Sequence, residues 1–226
     1  MFSRSQPLVQ PAQPFQPIEK IVVTVLVLFS ILLFAIIYMM DISVTHKLTS
    51  ESGFFEVMSP PLWIALAVLC VVKLGFRKWG LGTAALSLIF AAREADLHKA
   101  FTAQSIFKHH FYKMDGVPFA QKFWGGLVAV ICIGIMLWML FAFIAYLYRT
   151  KGWRQAWGRL TLLSIALVIF TKICDRLEAT LNVDYHIFLS EVQGEICNMH
   201  EEGFEMLLPF MFAISLLVWC RRVRSD

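Results

Sequence analysis

Long hydrophobic runs separated by short polar stretches dominate the chain. A transmembrane helix needs about 20 mainly apolar residues, within a range of about 17–25. Runs of about this length, counting the polar ends of the third, fifth and sixth, lie at roughly 19–40, 57–76, 80–97, 123–148, 158–178 and 202–220. The pattern predicts an all-α polytopic membrane protein whose six transmembrane helices form one domain over residues 18–222.

Two polar stretches have a different character from the connections between the runs. The first 17 residues contain four Pro and four Gln and lack the apolar core of a signal peptide, so we expect a disordered cytoplasmic tail at 1–17. Residues 98–122 mix aromatic and basic side chains at roughly helical spacing. This second pattern predicts an amphipathic helix that lies on the outer surface of the membrane.

The distribution of charge sets the predicted orientation. Charged residues make up only 16% of the chain, against about 25% in soluble domains. Basic clusters at residues 77–78, 149–154 and 221–224 fall on one side of a six-helix topology. The positive-inside rule makes that side, with both termini, cytoplasmic. It then holds 12 of the 20 Lys and Arg, whereas 14 of the 16 acids and all six His lie outside.

This sorting explains the formal charge of +4 without a nucleic-acid partner. The partner that the composition indicates is the lipid bilayer, and the sequence does not indicate any protein partner.

Carboxylates recur at a common depth in four of the predicted helices. Counted from the cytoplasmic end of each helix, they occur after 15 to 17 residues, or about 22–25 Å at the rise of an α-helix. These carboxylates are Glu56, Glu94, Asp175 and Glu205. Charges inside the hydrocarbon region are costly and normally face the bundle. We therefore expect helices two, three, five and six to surround a polar site just below the outer (periplasmic) face.

Other ionisable residues extend this predicted site. His98 lies four residues after Glu94, a spacing that places both on one helix face. Further metal- or ligand-binding candidates are Glu178 and Glu202. Three basic residues are candidates for holding an anion or for forming ion pairs: Arg93, Lys172 and Arg176.

Three alternatives account for such a cluster. Carboxylate and imidazole ligands in a helical bundle suit a divalent metal such as zinc, manganese or iron, and extend to a metal-dependent enzyme acting on lipid-linked substrates. A mixture of acids and bases also suits a polar ligand, a lipid head group or a small transported solute. The third alternative is a buried ion-pair network that fixes helix packing. The residues do not decide among these alternatives, nor whether the protein is an enzyme.

Two of the cysteines fall near one membrane face. Cys174 and Cys197 lie towards the outer side in the predicted topology, where an oxidising compartment would allow a disulfide. Spacing alone does not show whether they pair.

One stretch carries a resemblance. Residues 93–108, READLHKAFTAQSIFK, are followed by FYK, a proline and QK before the next apolar run. This arrangement resembles an uncharacterised family of polytopic bacterial inner-membrane proteins. The resemblance covers the third helix and the loop after it, and it implies a bacterial inner-membrane location without a particular activity.

Overall fold

A computed structural model describes residues 12–50, 52–100, 102 and 104–225, with the side chains of His98, Arg224 and Ser225 outside the description. Within these residues the secondary structure is helical and contains no strand, which confirms the predicted all-α class. The helices are α1 Pro17–Met39, α2 Ile42–Thr49, α3 Phe54–Leu74, α4 Lys78–Glu94, α5 Leu97–Ala100, α6 His109–Lys113, α7 Phe119–Thr150, α8 Ala156–Tyr185 and α9 Glu191–Ser225.

Four stretches of the described chain are long and apolar enough to cross a bilayer: Pro17–Met39, Ile42–Leu74, Phe119–Thr150 and Glu191–Val223. The second stretch contains α2 and α3. Helix α4 has only 17 residues. Helix α8 is continuous over 30 residues, but charged side chains interrupt its apolar sequence. The chain is therefore a multi-pass membrane protein by helix length and composition, while a count of six crossings stays a prediction.

The chain divides into two compact units. The first contains the described residues up to Ser59 and those from Tyr146 onward, and the second contains Pro60–Ala145. An apolar core in the first unit joins α1, α3 and α9 through Leu33, Ile37, Phe55 and Met199. Burial of such side chains contributes roughly 1.5–3 kcal/mol each when they leave water, but in a bilayer their contribution is mainly close packing.

Helices α8 and α9 form a long antiparallel pair in the first unit. The Ser215 hydroxyl donates a hydrogen bond of 2.9 Å to the Trp157 carbonyl near one end. In the middle, the rings of Phe170 and Phe204 meet edge to face, with centroids 5.7 Å apart. This register places the C-terminal half of α8 directly beside the N-terminal half of α9.

Short-range packing organises the second unit. Trp63 of α3 and Phe90 of α4 stack with ring centroids 4.7 Å apart, so α4 returns along α3 after a short connection. A Cβ at Gly82 of α4 would lie 2.5 Å from the Met139 sulfur, so a larger residue there would require the Met139 side chain of α7 to move.

The segment after α4 is not the single amphipathic helix that residues 98–122 predict. It contains the short α5 and α6, with turns and irregular chain among the described residues around them. Phe111 is fully buried against Ile106 and Ala129, and the Tyr112 hydroxyl donates a hydrogen bond of 2.6 Å to the Ile106 carbonyl. Burial raises the pKa of the Tyr112 phenol. Inward-facing aromatic rings hold a compact loop, a role that their spacing alone does not distinguish from membrane contact.

The predicted disordered tail at 1–17 lies mostly outside the described residues, but its end is fixed against α8. Arg159 forms a bidentate ion pair with Glu19, with nitrogen–oxygen distances of 2.7 and 2.8 Å. Its guanidinium also donates to the carbonyls of Gln13 and Pro14 at 3.1 and 3.2 Å. The Phe15 ring lies 4.8 Å from the guanidinium carbon. Residues 13–15 therefore contact α8 several residues before the first apolar run.

Candidate functional site

A lysine surrounded by carboxylates lies between α8 and α9. The Nζ atom of Lys172 is 2.7 Å from a Glu205 oxygen, 3.4 Å from a Glu201 oxygen and 3.7 Å from an Asp175 oxygen. We call these four residues the Lys172 cluster. Three acids around one base at a helix–helix contact are a costly arrangement, because the largely buried carboxylates of Glu201 and Glu205 lose hydration there.

Helical spacing brings these side chains together. Asp175 lies three residues after Lys172, so both are on one face of α8. Glu201 and Glu205 are four residues apart on α9 and both face Lys172. The Phe170–Phe204 contact next to the cluster closes it off towards the apolar half of the helix pair.

Burial within the Lys172 cluster is graded. The side chain of Glu205 is 7% exposed and that of Glu201 is 14% exposed, whereas Lys172 and Asp175 are 34% and 38% exposed. The two α9 carboxylates are therefore the more buried part of the cluster, and Lys172 and Asp175 of α8 are its more exposed part.

The charge of the cluster is negative when its four groups are ionised. One ammonium and three carboxylates sum to −2, and Arg176, whose Nε is 3.6 Å from Asp175, brings the sum to −1. Arg176 is 78% exposed, so solvent screens much of its contribution. Chemically, such a cluster can attract a cation, exchange its lysine for another positively charged nitrogen, or hold two helices together.

Two further predicted site residues lie near this cluster along the same helices. Glu178 is exposed on α8, and its carboxylate lies 3.3 Å from the position that a Cβ would take at Gly194. Glu202 is half-buried on α9, one residue after Glu201. Glu178 lies on α8 and Glu202 on α9, and their role in binding stays a prediction.

The third-helix candidates belong to the second unit. Arg93 and Glu94 contact each other at 3.8 Å. Helix α4 ends at Glu94, because Asp96 takes a left-handed conformation with φ of +51° before α5 begins. The prediction that Glu94 and His98 share one continuous helix face is therefore wrong, and the His98 side chain lies outside the described part of the chain.

Glu56 occupies the first turn of α3 in the first unit, where it is half-buried. Its neighbour Phe55 packs into the apolar core with Leu33 and Met199. Pro60 lies four residues later and, having no N–H, cannot donate the usual helical hydrogen bond to the Glu56 carbonyl.

A second polar group in the first unit was not among the predicted site residues. Glu195 of α9 is 1% exposed, and its carboxylate lies 2.8 Å from Nδ1 of His46 on α2 and accepts a hydrogen bond of 3.1 Å from Thr49. The other imidazole nitrogen of His46 lies 3.5 Å from Glu191. The four-residue spacing of Glu191 and Glu195 is visible in the sequence, but identifying His46 of α2 as their partner requires the tertiary fold.

His200 lies one residue before the acidic stretch of α9 and has a separate environment. Its ring is 3.1 Å from the Ser30 hydroxyl and 2.8 Å from the Ile196 carbonyl, and it packs on Phe34 with centroids 4.5 Å apart. These contacts turn His200 towards α1 and away from Lys172.

The arrangement of donor groups adds no support to the metal alternative. Across the residues that the structure describes, no group of three or more His, Cys, Asp or Glu side chains is arranged to hold a metal ion. In the Lys172 cluster the carboxylates contact the Lys172 ammonium.

Comparison with known proteins adds no family to these observations. No protein-family model, no curated protein and no solved structure matches the chain significantly. The resemblance of residues 93–108 to inner-membrane proteins therefore stays a prediction.

Proposed function

We propose that this chain is a six-helix membrane protein that binds a positively charged nitrogen group in the Lys172 cluster, just below the outer membrane surface. The observation that carries the proposal is the placement of the Lys172 ammonium within 3.7 Å of three carboxylates. Ionisable residues within membrane helices are rare and usually mark a functional site, because their burial in the bilayer is costly.

Two antiparallel helix pairs support six crossings. Helix α8 runs along most of α9, which is long and apolar enough to span, so a spanning α9 takes α8 across with it. Helix α4 returns along α3 in the same way through the Trp63–Phe90 stack. At 17 residues α4 is about 26 Å long, close to the hydrocarbon thickness of about 30 Å.

The charge distribution supports cytoplasmic termini. Basic residues lie in the connection between α3 and α4, in the connection between α7 and α8, and at the end of α9. This orientation places the Lys172 cluster towards the outer face, and Glu205 is then about 24 Å from Arg221 at the cytoplasmic end. A bacterial inner-membrane location rests on the resemblance of residues 93–108.

The charge and the mobility of Lys172 favour a cationic nitrogen as the ligand group. The cluster is acidic by two charges when ionised, and the lysine already shows how an ammonium is held by these oxygens. Its side chain is one-third exposed, so it can leave on a flexible stem when a ligand ammonium enters. Lipid head groups that contain a primary amine, and small free amines, share this chemistry.

Thermal stability of the purified protein tests the proposal. Short-chain phosphatidylethanolamine, ethanolamine and short-chain phosphatidylglycerol serve as probes. At about 100 times its Kd a ligand stabilises by roughly 2.7 kcal/mol, or about 5–10 °C for a chain of this size. We expect a rise with an amine probe, and the two amines distinguish a lipid from a free-amine source.

Two variants make this test specific. The double variant Glu201→Gln/Glu205→Gln should lose the rise, whereas Asp184→Asn, at an exposed acid of α8, should keep it. An equal rise with phosphatidylglycerol, or a rise that survives in the double variant, would overturn the proposal.

The structural ion-pair network is the second candidate, and one observation favours it. Each of the three carboxylates already contacts Lys172, so the cluster has a partner for every acid it contains. The two candidates differ in the change of stability that they predict when a single acid is neutralised.

A further inference from the structure

Cys174 lies on the face of α8 that contacts α9. It is four residues after Phe170 and four residues before Glu178. Phe170 packs on the Phe204 ring, and the Glu178 carboxylate approaches the backbone of Gly194. Residues four apart share one side of a helix, so the buried thiol between these two contacts also faces α9.

Cys197 lies on the matching face of α9. It is three residues after Gly194, which approaches Glu178, and four residues before Glu201, which contacts α8. Cys174 lies four residues before Glu178, and in an antiparallel pair its level on α9 is four residues after Gly194, at residue 198. Cys174 therefore lies within one residue of the level of Cys197. Both thiols are free in this structure, and that of Cys174 is buried.

We propose that Cys174 and Cys197 form a reversible disulfide that joins α8 to α9 on the outer side of the membrane. The proposal rests on the proposed topology, because disulfides persist in oxidising compartments outside the cytoplasm.

The exchange uses the disulfide of a thiol–disulfide oxidoreductase as the oxidant. The thiolate of Cys197, which is half-buried and more accessible than Cys174, attacks one sulfur of that disulfide and releases the other as a thiol. The Cys174 thiolate then attacks Cys197 in the mixed disulfide. The two cysteines lose two electrons and two protons, and the oxidant disulfide gains them as two thiols.

This bond would act next to the proposed ligand site. Cys174 is two residues from Lys172, and Cys197 is four residues from Glu201. Oxidation would hold the outer ends of both helices together at the Lys172 cluster, while reduction would let them separate locally.

Thiol counting in native membranes tests the proposal. The full chain is prepared with Cys70, Cys132 and Cys220 replaced by alanine, and free thiols are tagged in denaturant with a maleimide polyethylene glycol. We expect no tag before reduction and two tags after it. In the same background, Cys174→Ser or Cys197→Ser should accept one tag without reductant. Two tags before reduction, or a dimer linked through cysteine, would overturn the proposal.

A membrane-permeant thiol oxidant, diamide, separates the two ways to fail. If tagging disappears only after diamide treatment, the cysteines face each other but lie in a reducing compartment, and the proposed topology fails as well. If tagging persists after diamide, the facing geometry is wrong and the ligand proposal is unaffected. The variant Cys174→Ser/Cys197→Ser should still show the amine-dependent rise in melting temperature, because neither thiol contacts the ligand.

Discussion

Removing the base from the Lys172 cluster should damage the protein more than removing one of its acids. Lys172→Met leaves three carboxylates without their shared ammonium, so the charge of the four positions falls from −2 to −3 when the acids are ionised. Glu205→Gln changes the charge from −2 to −1 and keeps an amide oxygen that can accept a hydrogen bond from Lys172.

Burial and charge set the expected magnitudes. Breaking a buried ion pair by removing one partner costs about 3–5 kcal/mol. Lys172 is 34% exposed, so screening lowers the expected cost of Lys172→Met to about 2–3 kcal/mol. At about 2–4 °C per kcal/mol, the melting temperature should fall by roughly 4–12 °C. For Glu205→Gln, the lost ion pair is offset by weaker repulsion from Glu201, and we expect a change within about 1 kcal/mol.

Thermal unfolding of purified variants in one detergent, without added amine, measures both effects. Asp184→Asn serves as the matched neutralisation of an exposed acid and should leave the melting temperature unchanged. If Glu205→Gln lowers the melting temperature as much as Lys172→Met, the cluster is a structural network and the reasoning from charge is wrong.

Two other contacts make separate predictions. Arg159→Met should destabilise the protein by about 3 kcal/mol and expose residues 12–16 to limited proteolysis, because it leaves the buried Glu19, which is 4% exposed, without its ion-pair partner. Arg159→Lys keeps the charge without the bidentate geometry, so its stability should lie between those of the wild type and Arg159→Met. Unchanged proteolysis of Arg159→Met would contradict this role. Tyr112→Phe should cost about 1 kcal/mol by losing the hydrogen bond to Ile106. Burial raises the Tyr112 pKa in the folded protein, so the stability that the neutral phenol contributes is present below pH 10 and declines above it. An identical alkaline stability profile for Tyr112→Phe would refute this.

Long hydrophobic runs predict the helical class, because membrane helices are long and apolar whatever they pack against. The same pattern does not determine whether α4 and α8 cross, because α4 is short and α8 contains Lys172 and Asp175. Whether α4 and α8 cross depends on their pairing with α3 and α9, and that pairing is known only from the tertiary structure.

Depth counting along the sequence finds Asp175 and Glu205, and both contact Lys172 in the structure. It cannot find the partner of Glu195, because His46 is distant in the chain and belongs to the short α2. It also assumes that a helix continues to the last polar residue. The left-handed Asp96 breaks that assumption between Glu94 and His98.

Binding of a positively charged nitrogen in the Lys172 cluster can be measured directly. Native mass spectrometry of the purified protein with phosphatidylethanolamine gives the stoichiometry. We predict one specifically bound amine-containing molecule per chain, retained in Asp184→Asn and absent in Glu201→Gln/Glu205→Gln. Equal occupancy in the wild type and the double variant, or no bound amine in the wild type, would contradict the proposed function.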